Sequence, residues 1–390
     1  MTIVRATEQY TAIEIQEALT WGTDPGSWAA APVYRVPFRS EDLHMEDEFF
    51  PDPAEFGTLG GLSSIDSGRR VVRGTLVVEP VYSENWFWKL FGCCFGGEDL
   101  VVDRAVTDDT VAATNLNTHI FTPGPGIFSG TNQGLAMRVW KAGVGPAASG
   151  WVDTITGLLV TKWTWDQPEG DRSTLTIEFI GKAITTAAGS GTPKALETTL
   201  AKVKAIDLGR AGSKFMLGAT LTQMNCTGFT ITVDRKVEPP PAFLQSLTVL
   251  DQPGITGIRE VTLDFTSNLE LDYYANFKPF KEFLLQTESQ FVCIYDAGVV
   301  ATAATNYQIR FDMPAIRFLD VRNNITQAVP QLTGSARARV AAISTLTGGM
   351  SDFTTIPLSN GGATDVRVLV NVNQTDEPTN DTKFTLLANG

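Results

Sequence analysis

A chain of 390 residues, 43% hydrophobic and 19% charged, with 35 glycines and 20 prolines, is too long for one ordinary domain and too apolar to stay disordered, so two or so turn-rich globular domains are expected. Its formal net charge of −13 argues against a surface that grips phosphates, which needs clustered Lys and Arg, although an acidic wall can still repel a polyanion passing beside it. No apolar run approaches the roughly 20 residues of a membrane span, and MTIVRATEQY lacks the regions of a secretory signal, so the expectation is a soluble, cytoplasmically folded protein with no membrane partner.

Strand patterns dominate from the amino terminus onward. VPFRSEDL, from Val36, reads as a strand. The acidic run EDLHMEDEFFPDPAEF that overlaps its end reads as a solvated or interface loop, because it lacks the fixed oxygen positions and central glycine of a calcium loop. In VVRGTLVVEP, Val72, Leu76 and Val78 face one side while Arg73, Thr75 and Glu79 face the other, which is the period of a half-buried strand. SENWFWKLFG then predicts a helix with Ser83 as N-cap, Trp86 and Leu90 on one face and Gly92 as left-handed terminator. The Gly-, Thr- and Asn-rich stretch 103–150 reads as an insertion. In KWTWDQPEGD, Trp163 and Trp165 share one face of a strand entering a Pro-Gly turn. They fit a core or a subunit interface, the alternative being an exposed platform that stacks on sugar rings.

AAGSGTPKALETTL is a linker in composition, which places a domain boundary near Gly209. Beyond it, REVTLDFTSN buries Val261, Leu263 and Phe265 and exposes Glu260, Thr262, Asp264 and Thr266. DYYANFKPFKEFLLQ predicts a second helix, with Asn276 as cap, Pro279 in the first turn, and Phe277, Phe280 and Leu284 at helical spacing. TDVRVLVNVN is one further strand, suited either to complete the second sheet or to pack on a neighbouring subunit.

The strand-then-helix order recurs, which predicts an internal duplication: a first unit over 1–208 with the insertion near 103–150, and a second over 209–390 with a carboxy-terminal extension. VPFRSEDL matches FTITVDRK, and SGRRVVRGTLVVEPVYSENWFWKLFG matches TGIREVTLDFTSNLELDYYANFKPFKEFL, each at an offset of about 190 residues. TITGLLVTKWTWDQPEGDRSTLTIEFIGKA matches DMPAIRFLDVRNNITQAVPQLTGSARARV at an offset of about 160, which puts the insertion in the first unit.

Residues for catalysis are sparse. His44 and His119, the two histidines, have no partner at metal-ligand spacing, and Cys93, Cys94, Cys226 and Cys293 form no metal motif and read as buried free thiols. GLSSIDSG lacks the GxSxG elbow, and no GxGxxG or phosphate loop is present. No cofactor, metal or catalytic residue is assigned, and the chain is read as a non-enzyme.

The order of VPFRSEDL, a long loop, GRRVVRGTLVVEPVYSENWFWKLFG and the GLLVTKWTW to LTIEFIGKA hairpin resembles the tail tube proteins of long-tailed phages, and PAIRFLDVRNNITQAVPQLTG looks like part of a second copy. The resemblance implies a mainly β protein of two tandem β-sandwich or barrel domains, each flanked by one helix, whose inner sheets join around a ring. It implies a structural virion protein that self-assembles into stacked rings forming a hollow tail tube, with DNA passing through the lumen unbound. A duplicated chain would form homotrimeric rings with pseudo-sixfold symmetry. Implied partners are further copies of the chain, the tape measure protein, the tail terminator and tail tip proteins, and the implied location is the virion tail. Ring-stacking loops would carry Phe49, Phe50 and Phe56 in the first unit and Pro240 and Phe243 in the second. Glu79, Asp264 and Glu270 would face the lumen. The alternative is a carbohydrate-binding or adhesin-like β-sandwich protein.

Overall fold

The computed structural model describes residues 12–17, 21–26, 28, 33–51, 65–82, 85–95, 99–105, 115–123, 135–141, 151–188, 193, 206, 208–209, 212–219, 221–238, 253–268, 273–302, 305–324, 330–342 and 363–373. Its elements begin with β1 (Ala12–Glu17), β2 (Tyr34–Val36), β3 (Ser40–Glu41), β4 (His44–Pro51), β5 (Ile65–Val78), α1 (Asn85–Phe95), β6 (Asp99–Ala105), β7 (Asn115–Phe121), β8 (Leu135–Lys141), β9 (Trp151–Gln167), β10 (Thr174–Gly181) and β11 (Ala183–Ala188). They continue with β12 (Lys214–Gly218), β13 (Thr222–Gln223), β14 (Cys226–Asp234), β15 (Val237–Glu238), β16 (Gly254–Ile255), β17 (Glu260–Asn268), α2 (Tyr273–Leu284), β18 (Ser289–Thr302), β19 (Thr305–Asn324), β20 (Gln331–Ala338), β21 (Ala341–Ala342), β22 (Ala363–Thr364) and β23 (Arg367–Asn373). The protein is mainly β, and 19 of the described strands belong to one hydrogen-bonded system.

Every pairing in that system is antiparallel, and its centre is a run of strands in the order β5, β10, β9, β14, β17, β20, β19. Beside β5, residues 40–47 continue the run through β3 and the start of β4. Long strands turn the sheet back on itself. The first half of β9 leaves the run to pair with β8 and β11, and β8 continues through β1 to β2. The first half of β19 pairs likewise with β18 and β23. Apolar side chains from both layers, such as Ile13, Val36 and Val139 from one and Leu76, Trp163 and Ile177 from the other, meet in a single core that also takes in the second half of the chain.

The central run contains the same arrangement twice. In β5-β10-β9 one residue of β9 is skipped where Glu178 and Phe179 pair with Lys162 and Val160. In β17-β20-β19 one residue of β19 is skipped where Ser335 and Ala336 pair with Asp320 and Phe318. A bulge of this kind bends a strand and sharpens its twist, and the two trios share its position as well as their order. Volumes are redistributed between them: Ile177 lies opposite Leu76, whereas Gly334 lies opposite Phe265, and a Cβ on Gly334 would sit 2.5 Å from the Phe265 ring.

Several local expectations are revised. Val36 lies in β2, which pairs with β1, so the strand beside β5 is formed from Ser40 onward rather than by VPFRSEDL as a unit. The stretch after Leu43, expected as a loop, starts as β4 hydrogen-bonded to an extended β5 as far as Pro51 opposite Ile65. Where the two strands approach, Gly74 holds φ 148°, and a Cβ there would lie 2.7 Å from the Asp42 carbonyl oxygen. α1 does not stop at Gly92 but runs to Phe95; Gly92 is not among the glycines of positive φ, and a Cβ there would meet the Phe121 ring at an ordinary contact of 3.7 Å. α2 begins at Tyr273, which puts Pro279 inside the helix, and Leu284 is exposed while Phe280 and Phe283 pack on the core. β23 completes the sheet of the second half against β19, and its other edge takes β7 from within the expected insertion. All four cysteines are free, Cys94 and Cys293 buried and Cys93 and Cys226 half-buried.

Trp163 and Trp165 are fully buried. Trp165 Nε1 donates to the Tyr295 hydroxyl at 3.0 Å, and its ring meets Phe91 of α1 and Phe311 of β19 edge-on, so one side chain joins both halves of the chain. Burial pushes the Tyr295 phenol well above its ordinary pKa and keeps it a neutral partner for that bond. Trp165→Ala removes this packing and is expected to lower stability by about 3–5 kcal/mol. Trp165→Phe keeps much of the ring contact and is expected to cost about 1–3 kcal/mol. Urea unfolding of both variants reads the two values, and a Trp165→Phe loss near zero would show that the hydrogen bond is immaterial.

Candidate functional site

Alternation along each central strand sends the apolar set into the core and leaves one broad polar face. Strand register then orders that face into rows crossing the strands. In one row Thr174 lies opposite Asp166, Asp166 opposite Thr230, Thr230 opposite Asp264, Asp264 opposite Ser335 and Ser335 opposite Asp320. Carboxylate and hydroxyl therefore alternate from strand to strand, and Thr230 Oγ1 donates to Asp166 Oδ1 at 2.6 Å. An open groove runs along this row, lined by Asp166, Thr230, Asp264, Asp320, Arg322 and Ser335.

The next row reads Thr176, Thr164, Thr232, Thr262, Arg337 and Arg317. A third crosses Thr75, Glu178, Lys162, Asp234 and Glu260. In that third row the charges are balanced by neighbours: Lys162 Nζ lies 2.8 Å from Glu178, and Arg337 reaches Glu260 at 3.3 Å. The carboxylate row is less compensated, with Arg322 beside Asp320 as its cation. Adjacent strands lie about 4.8 Å apart, so carboxylates on every second strand are separated by roughly one Debye length at 0.1 M salt, and their fields merge into one negative band.

Asp264, one of the three residues assigned to a lumen by sequence, is exposed at the middle of this row. Glu79 lies just past the end of β5. Burial alone would raise its carboxyl, but hydrogen bonds from Arg39 and Arg172 outweigh this and hold it below the ordinary value. Glu270 falls outside the described residues, as do Phe56, Pro240 and Phe243. Phe49 and Phe50 lie on β4, opposite Ser67 and Asp66 of β5. Asp166 and Asp320 escaped the sequence reading because a bulge and a distant pairing set their place. Period two signals the outward face of a strand but not what lies across from it.

The tryptophans proposed as a sugar platform are sealed in the core, which removes the residues on which a carbohydrate-binding reading rested. The strand run ties the two halves together through β9 and β14, whose six pairs extend from Phe229 opposite Gln167 to Asp234 opposite Lys162. Beyond those pairs the Arg235 amide donates to the Thr161 carbonyl at 2.9 Å, and the buried Arg235 guanidinium donates to the Val160 carbonyl at 3.2 Å.

Comparison with known proteins places this architecture. No curated protein matches the chain. Residues 65–330 match the family model for phage tail tube proteins. That span takes in every strand of the central run except β20, which starts one residue beyond it, and the chain belongs to the phage tail tube protein family.

Proposed function

We propose that the chain is a duplicated tube protein, with units over 1–208 and 209–390, three copies of which close a ring around a channel lined by the polar sheet face. The observation that carries this reading is the doubled trio of strands, each with a bulge at the same pairing. Glu178 and Ser335, which mark the bulges, are 157 residues apart (335 − 178), close to the offset expected between the units. Two equivalent units in one chain supply a ring position each, so six positions need three chains. Electron microscopy of purified protein should show stacked hollow rings, and mass measurement of a ring should give three chains. A particle that stays monomeric at high concentration would overturn the reading.

Facing inward, the alternating carboxylates and hydroxyls would present a hydrated, negative wall to DNA, which repels phosphate and gives it nothing to grip. Asp264 and Glu79 are assigned to this wall with Asp166 and Asp320, and Glu270 is assigned with them from its sequence position. Replacing Asp166, Asp264 and Asp320 with lysine should leave tubes intact and slow genome ejection, by a factor that shrinks as salt is raised. Ejection at the unaltered rate would remove the wall's electrostatic role.

The hairpin of β4 and β5, carrying Phe49, Phe50 and Phe56, is assigned to contact the next ring, together with a second arm carrying Pro240 and Phe243 that starts from the pairing of β15 with β16. Deleting residues 49–56 should yield folded rings that no longer stack. Tubes of normal length from that variant would exclude the assignment. On this reading the protein folds in the host cytoplasm and joins the tape measure, tail terminator and tail tip proteins in the virion tail.

A further inference from the structure

The junction between β9 and β14 joins two kinds of strand edge that recur at the ends of the central run. Matching the bulges sets Glu178 against Ser335, and the pairings then set Thr75 against Asp264 and Asp42 against Thr230. Residues 40–47 therefore hold beside β5 the place that β14 holds beside β17. Likewise Arg317–Asn323 of β19 hold beside β20 the place that the end of β9 holds beside β10. Inside the chain these two kinds of edge meet. At the ends of the central run they do not: among the described residues no strand pairs with the outer edge of 40–47, nor with 317–323 on the side away from β20. Open edges of this kind are templates for further pairing.

We infer that residues 40–47 of one copy pair antiparallel with Arg317–Asn323 of a second copy, in the register of the internal junction, which sets Glu46 opposite Asp320 and His44 opposite Arg322. Internally the equivalent pairs are Asp234 with Lys162 and Thr232 with Thr164. Charge favours this partner over a second edge of the same kind. The segment 40–47 carries Glu41, Asp42, Glu46 and Asp47 against one histidine, so two such edges repel, whereas 317–323 carries Arg317 and Arg322 against Asp320. The Arg322 side chain is 78% exposed and that of His44 57%. Each carboxylate that meets its like across the seam already has a guanidinium, Arg73 for Glu46 at 3.1 Å and Arg322 for Asp320 at 2.5 Å.

This inference rests on the ring reading, and its test separates the two. Residues directly opposite on paired strands hold their Cβ atoms about 4.5–5.5 Å apart, near disulfide reach, while a shift of two residues gives about 7–8 Å. Under mild oxidation, assembled Glu46→Cys/Asp320→Cys protein should form a disulfide-linked ladder above the 42.2 kDa chain, absent from each single variant and from the parent with its own cysteines. The shifted pair His44→Cys/Asp320→Cys should form none. His44→Cys/Arg322→Cys provides a second opposed pair should the first distort the bulge. Rings without a ladder from either opposed pair, or a ladder from the shifted pair, would overturn this register and leave the ring reading standing. Absence of rings in the parent protein would remove both.

Discussion

Six residue pairs between β9 and β14 hold the two halves of this chain in one sheet. A shift of that register by one residue would turn β14 over, placing Ile231 and Val233 in the polar face and Thr230 and Thr232 in the core. Nothing in the pairing itself forbids such a slip, since backbone groups accept either alignment. The core forbids it. Trp163 and Trp165 fill the space beneath the junction, Trp165 bonds to Tyr295, and the Arg235 guanidinium donates to the Val160 carbonyl of β9 and the Cys93 carbonyl of α1. Packing on one side thus fixes the order of charges on the other.

That coupling explains how an ordered polar face arises from side chains scattered between Thr75 and Arg337. Threonine is suited to it, since its β-branch favours the strand while its hydroxyl keeps the surface hydrated. Carboxylates occupy alternate strands of one row and are paired with cations in another, so the negative band is narrow and localised. The bulges in β9 and β19 fall at the same pairing in each trio, where a bulge bends its strand.

Much of this was legible in the sequence. Val72, Leu76 and Val78, and Val261, Leu263 and Phe265, announce their strands because strand burial has period two. The two helices show in clustered aromatics, although their ends do not: Gly92 looks like a terminator and lies within α1, and Pro279 looks like a helix start and lies within α2. Pairings across long separations left no local trace. Nothing in LNTHIF suggests that it lies against VRVLVNV some 250 residues later, because hydrophobic alternation specifies a face and not a neighbour. Asp166 and Asp320 became recognisable as one row only when the strands between them were in place.

The pairing of β7 with β23 has a bearing on inheritance. A strand from the first half of the chain lies against the last described strand of the second, so the sheet of the second half is finished with material encoded upstream of the linker. A recombination event that cut near residue 209 would deliver a second half with an uncovered strand, and a first half with a hairpin that has lost its support. The two halves therefore depend on each other for a finished sheet.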